Sequence, residues 1–415
     1  MEVFLMEVLY DRCCGIDVHK KLIVACFKCG KKQEIRTTGT TSDEIRDLTQ
    51  WLLDGKCQMV AMESTGSYWK PLYNIFEILG LDVMVANARD IKNVPGRKTD
   101  VGDAEWIADL LKHGLIRASY IPSREQRELR ELSRYRQSLI GERSRELNRL
   151  QKMLEGGNVK LASVVSDVNG RSARNLLKAM LESDSPLTEN RVSQLVHGRL
   201  QSKVDAIVKA MNGFFTPVQK ALIRKVVDHI DDMTKRIGEM DDMLCEYLQP
   251  YEEAIAKLDE IPGIARRSAE TILIEIGLDM TRFPSAGHIS SWAGLAPGNN
   301  ESAGKRRRSR TVHGNSTLKS ALVQCAKVAS KCKCYFRAQY QRIVIRRGAN
   351  RATVAVAHSM LIAIYHMLKD NQAFRDLGED FYMAFNREKK INRYLKQLQK
   401  LGWMPDMTNA ALATA

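Results

Sequence analysis

Short apolar blocks separated by polar turns fill the first quarter of the chain. Gly15-Ile16-Asp17-Val18 closes one apolar segment, and Leu22 to Phe27 is a run of strand-forming side chains. Lys32 to Thr38 alternates and completes a three-strand meander. Thr41-Ser42-Asp43 offers caps for a helix through Leu52. Gln58 to Met62 reads as a buried strand, Lys70 to Leu79 as a helix stopped at Gly80, and Asp82 to Ala86 as another strand. After a polar, basic loop, Val101 to Lys112 reads as a helix.

The order β-β-β-α-β-α-β-α is that of an RNase H-like α/β fold. Beyond it the pattern turns helical. Leu129, Leu132, Leu139, Ile140, Leu147, Leu150 and Met153 recur at threes, fours and sevens. A second long helix starts at Thr216-Pro217, a cap with proline at the first helical position, and stops near Pro250. Its stripe is Leu222, Ile223, Val226, Val227, Ile230, Met233, Ile237, Met240 and Leu244. The pair fits an antiparallel coiled coil with a helical insert, or an ordinary helical bundle. From Tyr251 the chain is mainly helical again. A loop rich in Gly, Asn, Ser and Arg runs from Ala296 to Asn315, with helices expected from Ser316 to Arg342 and from Arg351 to Leu368. The domains are therefore expected at 1–121 (α/β), 122–250 (coiled coil and helical insert) and 251–415 (all-α). The small-residue tail from Asn409 to Ala415 reads as frayed.

Charge narrows the partner. The 415 residues carry a formal charge of +15. Fourteen Lys and Arg, with no Asp or Glu, lie between Lys305 and Arg351. A one-signed stretch of that length repels itself unless a polyanion sits on it. Aromatic content of 7% argues against reading single-stranded bases mainly by stacking. The nine cysteines show no disulfide framework; Cys26-Phe27-Lys28-Cys29 has no second such pair, and all are expected to be reduced thiols. The N-terminus lacks the basic region of a signal peptide, and no apolar run is expected to reach membrane-spanning length, so a cytoplasmic, nucleoid-associated place and no membrane partner are expected.

Four acids fall at chemically suggestive places. Asp17 ends the first strand, Glu63 the fourth, and Asp100 and Asp103 open the third helix three residues apart, which puts them on one face. Carboxylates gathered at one sheet edge call for hard cations, and Mg²⁺ (or Mn²⁺) accepts such oxygen ligands while keeping waters for a phosphate. The plainer reading is surface residues and helix caps. Leu258 to Ala265 contains an Ile-Pro-Gly-Ile turn, a helix-hairpin-helix pattern in which Pro262 and Gly263 aim backbone N–H groups at a phosphate, or else a core helix pair. In Glu301-Ser302-Ala303-Gly304 a hydroxyl precedes Lys305, Arg306, Arg307 and Arg308, with Arg310 just beyond. A serine beside such cations can attack phosphorus while they hold the phosphate. Ser309 and Ser316 are rival hydroxyls, and His313 is a base candidate whose position the spacing does not fix.

At these residues the chain resembles the DEDD-type insertion-sequence transposases of the one-ten class, the bridge recombinases. GIDVHK, ESTGSYWKP, NARDIKNVPGRKTDVGDAEWIADLL, IPGIARRSAETILIEIG and WAGLAPGNNESAGKRRR stand in that family's order. The resemblance implies a RuvC-like first domain with Asp17, Glu63, Asp100 and Asp103 as a metal-binding tetrad. It implies Ser302 as nucleophile, a structured noncoding guide (bridge) RNA as partner, and target and donor double-stranded DNA as substrates. It also implies a homo-oligomer, a dimer and a tetramer, whose active sites pair the acids of one subunit with the serine of another. The segment from Gly156 to Phe215 looks longer than compact members need. A guide that reads sequence by base pairing leaves the protein only backbone-directed recognition, which suits this composition. Two other classes fit parts of the chain: a metal-only nuclease such as a junction resolvase, and a non-enzymatic nucleic-acid-binding scaffold.

Overall fold

The computed structural model describes residues 8–64, 66–87, 91, 100–183, 185–297, 301–302, 305–306, 311, 313–382 and 387–401. The chain divides into two compact units, Met1–Pro122 and Ser123–Ala415.

The first unit is a five-stranded mixed sheet in the order β3-β2-β1-β4-β5. Its strands are β1 (Arg12–Val18), β2 (Ile23–Cys29), β3 (Lys32–Thr38), β4 (Met59–Glu63) and β5 (Val83–Ala86). β1 runs antiparallel to β2 and parallel to β4. Helix α1 (Ser42–Asp54) starts at Thr41, whose side chain and Glu44 form a capping box. It packs with α2 (Trp69–Ile78) on one face, where Cys14, Ile16 and Val18 meet Ile45, Leu48, Leu72 and Phe76. Alternation puts Cys13 and Ala61 on the other face, against Ile107, Leu110 and Leu111 of α3 (Asp100–Lys112). The chain then returns to the sheet edge through a bridge between Ala86 and Ala118.

The second unit opens with two long helices, α4 (Arg124–Gly156) and, after the insert, α9 (Pro217–Tyr247). Arg136 bonds Asp241 at 3.0 Å and Arg143 bonds Thr234 at 3.3 Å, so the two run antiparallel. The buried stripe of α9 is Ile223, Val226, Ile230, Met233, Ile237 and Leu244. Leu222, expected on that stripe, is 55% exposed. The insert between them holds α5 (Leu161–Val164), α6 (Arg171–Glu182), α7 (Glu189–Leu195) and α8 (Val204–Ala210). Its Leu161, Leu176, Leu177, Val192 and Ile207 share one core with Leu150, Leu154, Ile223 and Ile230 of the long pair. Phe214 N donates to Gly157 O at 3.0 Å and closes the insert at its base.

The remaining helices are α10 (Glu252–Asp259), α11 (Arg266–Ile276), α12 (Ala286–Trp292), α13 (Ser316–Ala329), α14 (Tyr335–Arg347), α15 (Ala349–Asp370) and α16 (Arg387–Lys400). The single helix expected from Ser316 to Arg342 is two. The turn at Ser330 to Cys334 buries Cys334 and Phe336 completely or nearly so, and that burial overrides a helical pattern free of Gly and Pro. The residues before Asn315, read as a loop, contain a two-stranded ribbon of β6 (Glu301–Ser302) and β7 (Lys305–Arg306). One further expectation is corrected: α15 is long and apolar enough to span a membrane by length and composition. Half of its most apolar window is buried inside the protein, with Met360, Leu361, Ile364 and Tyr365 in the core. The tail from Asn409 lies outside the described residues.

Candidate functional site

The sheet register brings two of the acids together. β1 and β4 pair in parallel up to Ile16 and Met62, and Asp17 and Glu63 are the next residues of each strand. Residues level with each other on neighbouring strands point to the same face. Cys13 and Ala61 of that alternation face α3, so Asp17 and Glu63 project toward α3 as well.

The position of α3 is fixed by backbone contact. A Cβ on Gly15 would lie 2.4 Å from Ala104 O and 2.3 Å from Ala108 N. Glycine there lets the helix rest on the strand itself. Val24 and Cys26 of β2 pack on the same two alanines. The far end of α3 is tied down by Lys28 to Asp109 at 2.5 Å and by Lys112 Nζ to Gly30 O at 2.6 Å. The helix thus runs antiparallel to β1. One helical turn before Ala104 advances about 6 Å, and two strand residues beyond Gly15 advance about the same. The first turn of α3, with Asp100 and Asp103, is therefore level with Asp17 and Glu63. Asp103 is half-buried, and Asp100 is the first residue of the helix.

Asp17 is mostly buried, its side chain 16% exposed, and its carboxylate lies 3.0 Å from His19 Nε2. Sequence reasoning passed over His19. The signal was available, because a residue two along from Asp17 at a strand end shares its face. Among the described residues no three His, Cys, Asp or Glu side chains converge as metal ligands do. Asp17 and Glu63, at the ends of adjacent strands, offer carboxylate oxygens, the donor type a hard cation takes.

The other candidates lie in the second unit. Ser302 and Lys305 form the innermost pair of the β6–β7 ribbon, and Glu301 and Arg306 the next. Arg307, Arg308, Arg310 and Ser309 lie outside the described residues. Below them Pro297 bridges Thr311, and Lys319 Nζ donates to Thr311 Oγ1 at 2.7 Å. His313 and Ser316 are exposed near the foot of the ribbon. Pro262 and Gly263 make the turn between α10 and α11, with Gly263 at φ +91°. A Cβ on Gly263 would lie 2.6 Å from Ala329 N and from Cys325 O, so this glycine faces α13. Arg266 and Arg267, which open α11, are ion-paired with Glu252 and Asp241.

All nine cysteines are unpaired thiols. Burial pushes Cys13 and Cys26 up to about 11 and Cys57 up to about 12, which keeps them protonated and unreactive near neutrality.

Comparison with known proteins places the chain among the transposases. A DEDD-type transposase model matches residues 14–158, which hold all four acids, and a model described as transposase IS116/IS110/IS902 family matches 255–341, which hold the Pro-Gly turn and Ser302. The chain belongs to this IS116/IS110/IS902 family, and it is an enzyme that recombines DNA. It is 24% identical over 369 residues to a probable family 20 transposase of Pseudomonas aeruginosa, spanning 87% of this chain and 94% of that one. It is 22% identical over 328 residues to the transposase for insertion sequence element IS1111A of Coxiella burnetii, spanning 77% and 80%. A pilin gene-inverting protein of Moraxella bovis is 25% identical over 167 residues, 38% of this chain and 52% of that one. The insert falls between the two matched segments.

Proposed function

We propose that this transposase is an RNA-guided recombinase that cuts and rejoins target and donor DNA through a composite site. Asp17, Glu63, Asp100 and Asp103 would hold Mg²⁺ or Mn²⁺, and Ser302 would supply the nucleophile. The observation that carries the first half is the β1–β4 register, which sets Asp17 and Glu63 side by side under the first turn of α3. The strand order 3-2-1-4-5 with one antiparallel and one parallel neighbour of β1 supports an RNase H-like reading of this unit.

When bound, the metal supplies Lewis-acid polarisation of the phosphate. The chain's own residues do the rest. Ser302 Oγ attacks phosphorus and loses its proton, and the strand leaves as a free hydroxyl that takes up a proton. The phosphoserine diester keeps the energy of the broken bond, so the hydroxyl of a second strand can displace the serine without an external energy source. Lys305, Arg306, Arg307, Arg308 and Arg310 neutralise phosphate beside the serine, and Pro262 and Gly263 belong to the turn that meets DNA or RNA backbone. The relative from Moraxella bovis is named for gene inversion, which fits conservative strand exchange. The domain division 1–121, 122–250 and 251–415, the guide RNA transcribed beside the gene, and a tetramer of two dimers complete the reading.

The test is a nicked DNA substrate that strands the covalent intermediate, followed by mapping of the adduct peptide. An adduct on Ser302 that disappears in Ser302→Ala, with DNA still bound, supports the reading. Normal strand exchange without any adduct moves the chemistry to the metal alone. Specific recombination that survives RNase treatment removes the guide.

A further inference from the structure

The ribbon carrying Ser302 stands on two feet that touch each other. The incoming foot is Trp292 at the end of α12, and the outgoing foot is Asn315, the N-cap of α13. Asn315 N donates to Trp292 O at 3.0 Å, and a Cβ on Gly314 would lie 2.2 Å from Gly294 N. Beneath them lies the carboxylate of Glu275 in α11, its side chain 1% exposed. Asn315 Nδ2 donates to Glu275 Oε2 at 2.6 Å, while Asn315 Oδ1 accepts from Leu318 N at 3.1 Å and so caps α13. The same carboxylate receives the fork of Arg134, Nε to Oε1 and Nη2 to Oε2, each at 2.8 Å. Arg130 lies 3.4 Å from it, donates to the backbone carbonyls of Ile274 and Glu275, and sits over the Trp292 ring at 5.4 Å.

We infer that Glu275 is a positioning residue that sets the Ser302 ribbon and couples it to the long helix α4. The inference rests on the reading of Ser302 as nucleophile. Its physical basis is that a buried carboxylate with no access to water keeps its partners or loses them at high cost. The outgoing foot and two arginines of α4 share this one group, and the incoming foot is tied to it only through Asn315 N on Trp292 O and Arg130 over the Trp292 ring. A movement of α4 therefore reaches Asn315, the outgoing foot, through two side chains, Arg134 and Glu275. This makes an ordinary charged core into a coupling element between α4 and the attacking hydroxyl.

Asn315→Asp tests it. Asp caps a helix as well as Asn does, so α13 keeps its start. Only the donor aimed at Glu275 becomes an acceptor. Full-length protein with its locus RNA is presented with saturating nicked DNA. The rate of adduct formation at Ser302, the DNA dissociation constant and amide exchange over 293–297 and 311–315 are then measured. Asn315→Asp leaves DNA affinity near wild type, slows adduct formation by about tenfold or more, and raises exchange in both feet. Adding Glu275→Gln recovers part of the rate, because it removes the repulsion between the two carboxylates although it weakens the fork of Arg134. An unchanged adduct rate in Asn315→Asp, or a loss of rate that Glu275→Gln fails to relieve, overturns the positioning role. If wild-type protein forms no adduct at Ser302, the nucleophile reading is what fails, and the exchange change in Asn315→Asp then shows a clamp with no part in that reaction.

Discussion

Gly15 of β1 and Ala104 of α3 meet backbone to backbone: a Cβ on the glycine would sit 2.4 Å from the alanine's carbonyl oxygen. That approach decides where the acids of α3 stand relative to those of the sheet. Gly15→Ala must lift the helix or bend the strand, and because the opposing atoms are backbone, no side-chain trimming in α3 relieves it. The expected loss is about 1–3 kcal/mol of stability in the first unit. Thermal melting measures it, and if the acids form the proposed metal site, DNA cleavage should fall further than stability does, because the acid edge opens.

His19 holds one oxygen of Asp17 at 3.0 Å and thereby orients the carboxylate. Neighbours that orient a ligand typically affect metal affinity by about 10–100-fold. On the proposal that Asp17 holds the metal, His19→Ala should raise the Mg²⁺ concentration for half-maximal cleavage by about tenfold, with His19→Asn, which keeps a donor, closer to wild type. A magnesium titration of both variants decides it. An unchanged requirement in His19→Ala would mean that the histidine plays no part in the acid edge.

The acids were legible because strand ends are legible. Period-two alternation and a turn locate Asp17 and Glu63 without any structure, and helix start signals locate Asp100 and Asp103. Sequence could not reveal that Gly15 is the seat of α3, since close approach is a property of two distant segments. The same holds for Glu275 and Asn315, which lie 40 residues apart and obey no common period. Glu275 also broke the sequence rule that acids face water: the pattern ETILIEI gives no hint that its last acid is paired to two arginines of another helix. The turn at Ser330 to Cys334 was missed for a related reason, as burial of Cys334 and Phe336 sets it rather than any turn residue.

Arg134 and Glu275 make a bidentate pair, and its carboxylate raises the Arg134 pKa further above its already high value. Arg134→Met removes half of the compensation for a buried charge, while Arg130 and Asn315 remain. The expected destabilisation is about 2–4 kcal/mol, below full isolation of the carboxylate. The surface pair Arg46–Asp43 offers the contrast, with Arg46→Met changing stability by less than about 0.5 kcal/mol. Urea melts of both variants test the ratio.

The buried thiols predict an alkaline limit. Cys13 and Cys26 ionise near 11 and Cys57 near 12 in the folded protein, from an ordinary 9.0. An unfolded chain loses those protons from about pH 9, so the stability they protect is complete below 9 and drains away as pH rises toward 11–12. Each thiol should contribute on the order of 3–4 kcal/mol to that fall, at about 1.4 kcal/mol per pH unit. Cys26→Ala should flatten the decline between pH 9 and 11 relative to wild type, in melts followed under reducing conditions.

Gly263 carries two constraints at once, a φ of +91° and a Cβ direction blocked by the end of α13 at 2.6 Å. Either alone penalises alanine, and together they make Gly263→Ala the costliest single methyl in the α10–α11 turn, about 2–4 kcal/mol. Pro262 is half-buried, and Pro262→Ala should cost under about 1 kcal/mol. The two variants therefore separate packing from phosphate contact. If the turn only packs, DNA affinity of the folded variants stays at wild type while melting temperatures diverge. If its backbone meets phosphate, as proposed, Gly263→Ala weakens DNA binding even well below its melting temperature, because the N–H groups of the turn and of the α11 N-terminus move with the displaced backbone. Double substitution of Arg266 and Arg267 supplies the control: both are engaged by Glu252 and Asp241, so their removal should change the salt dependence of binding by less than two phosphate contacts' worth.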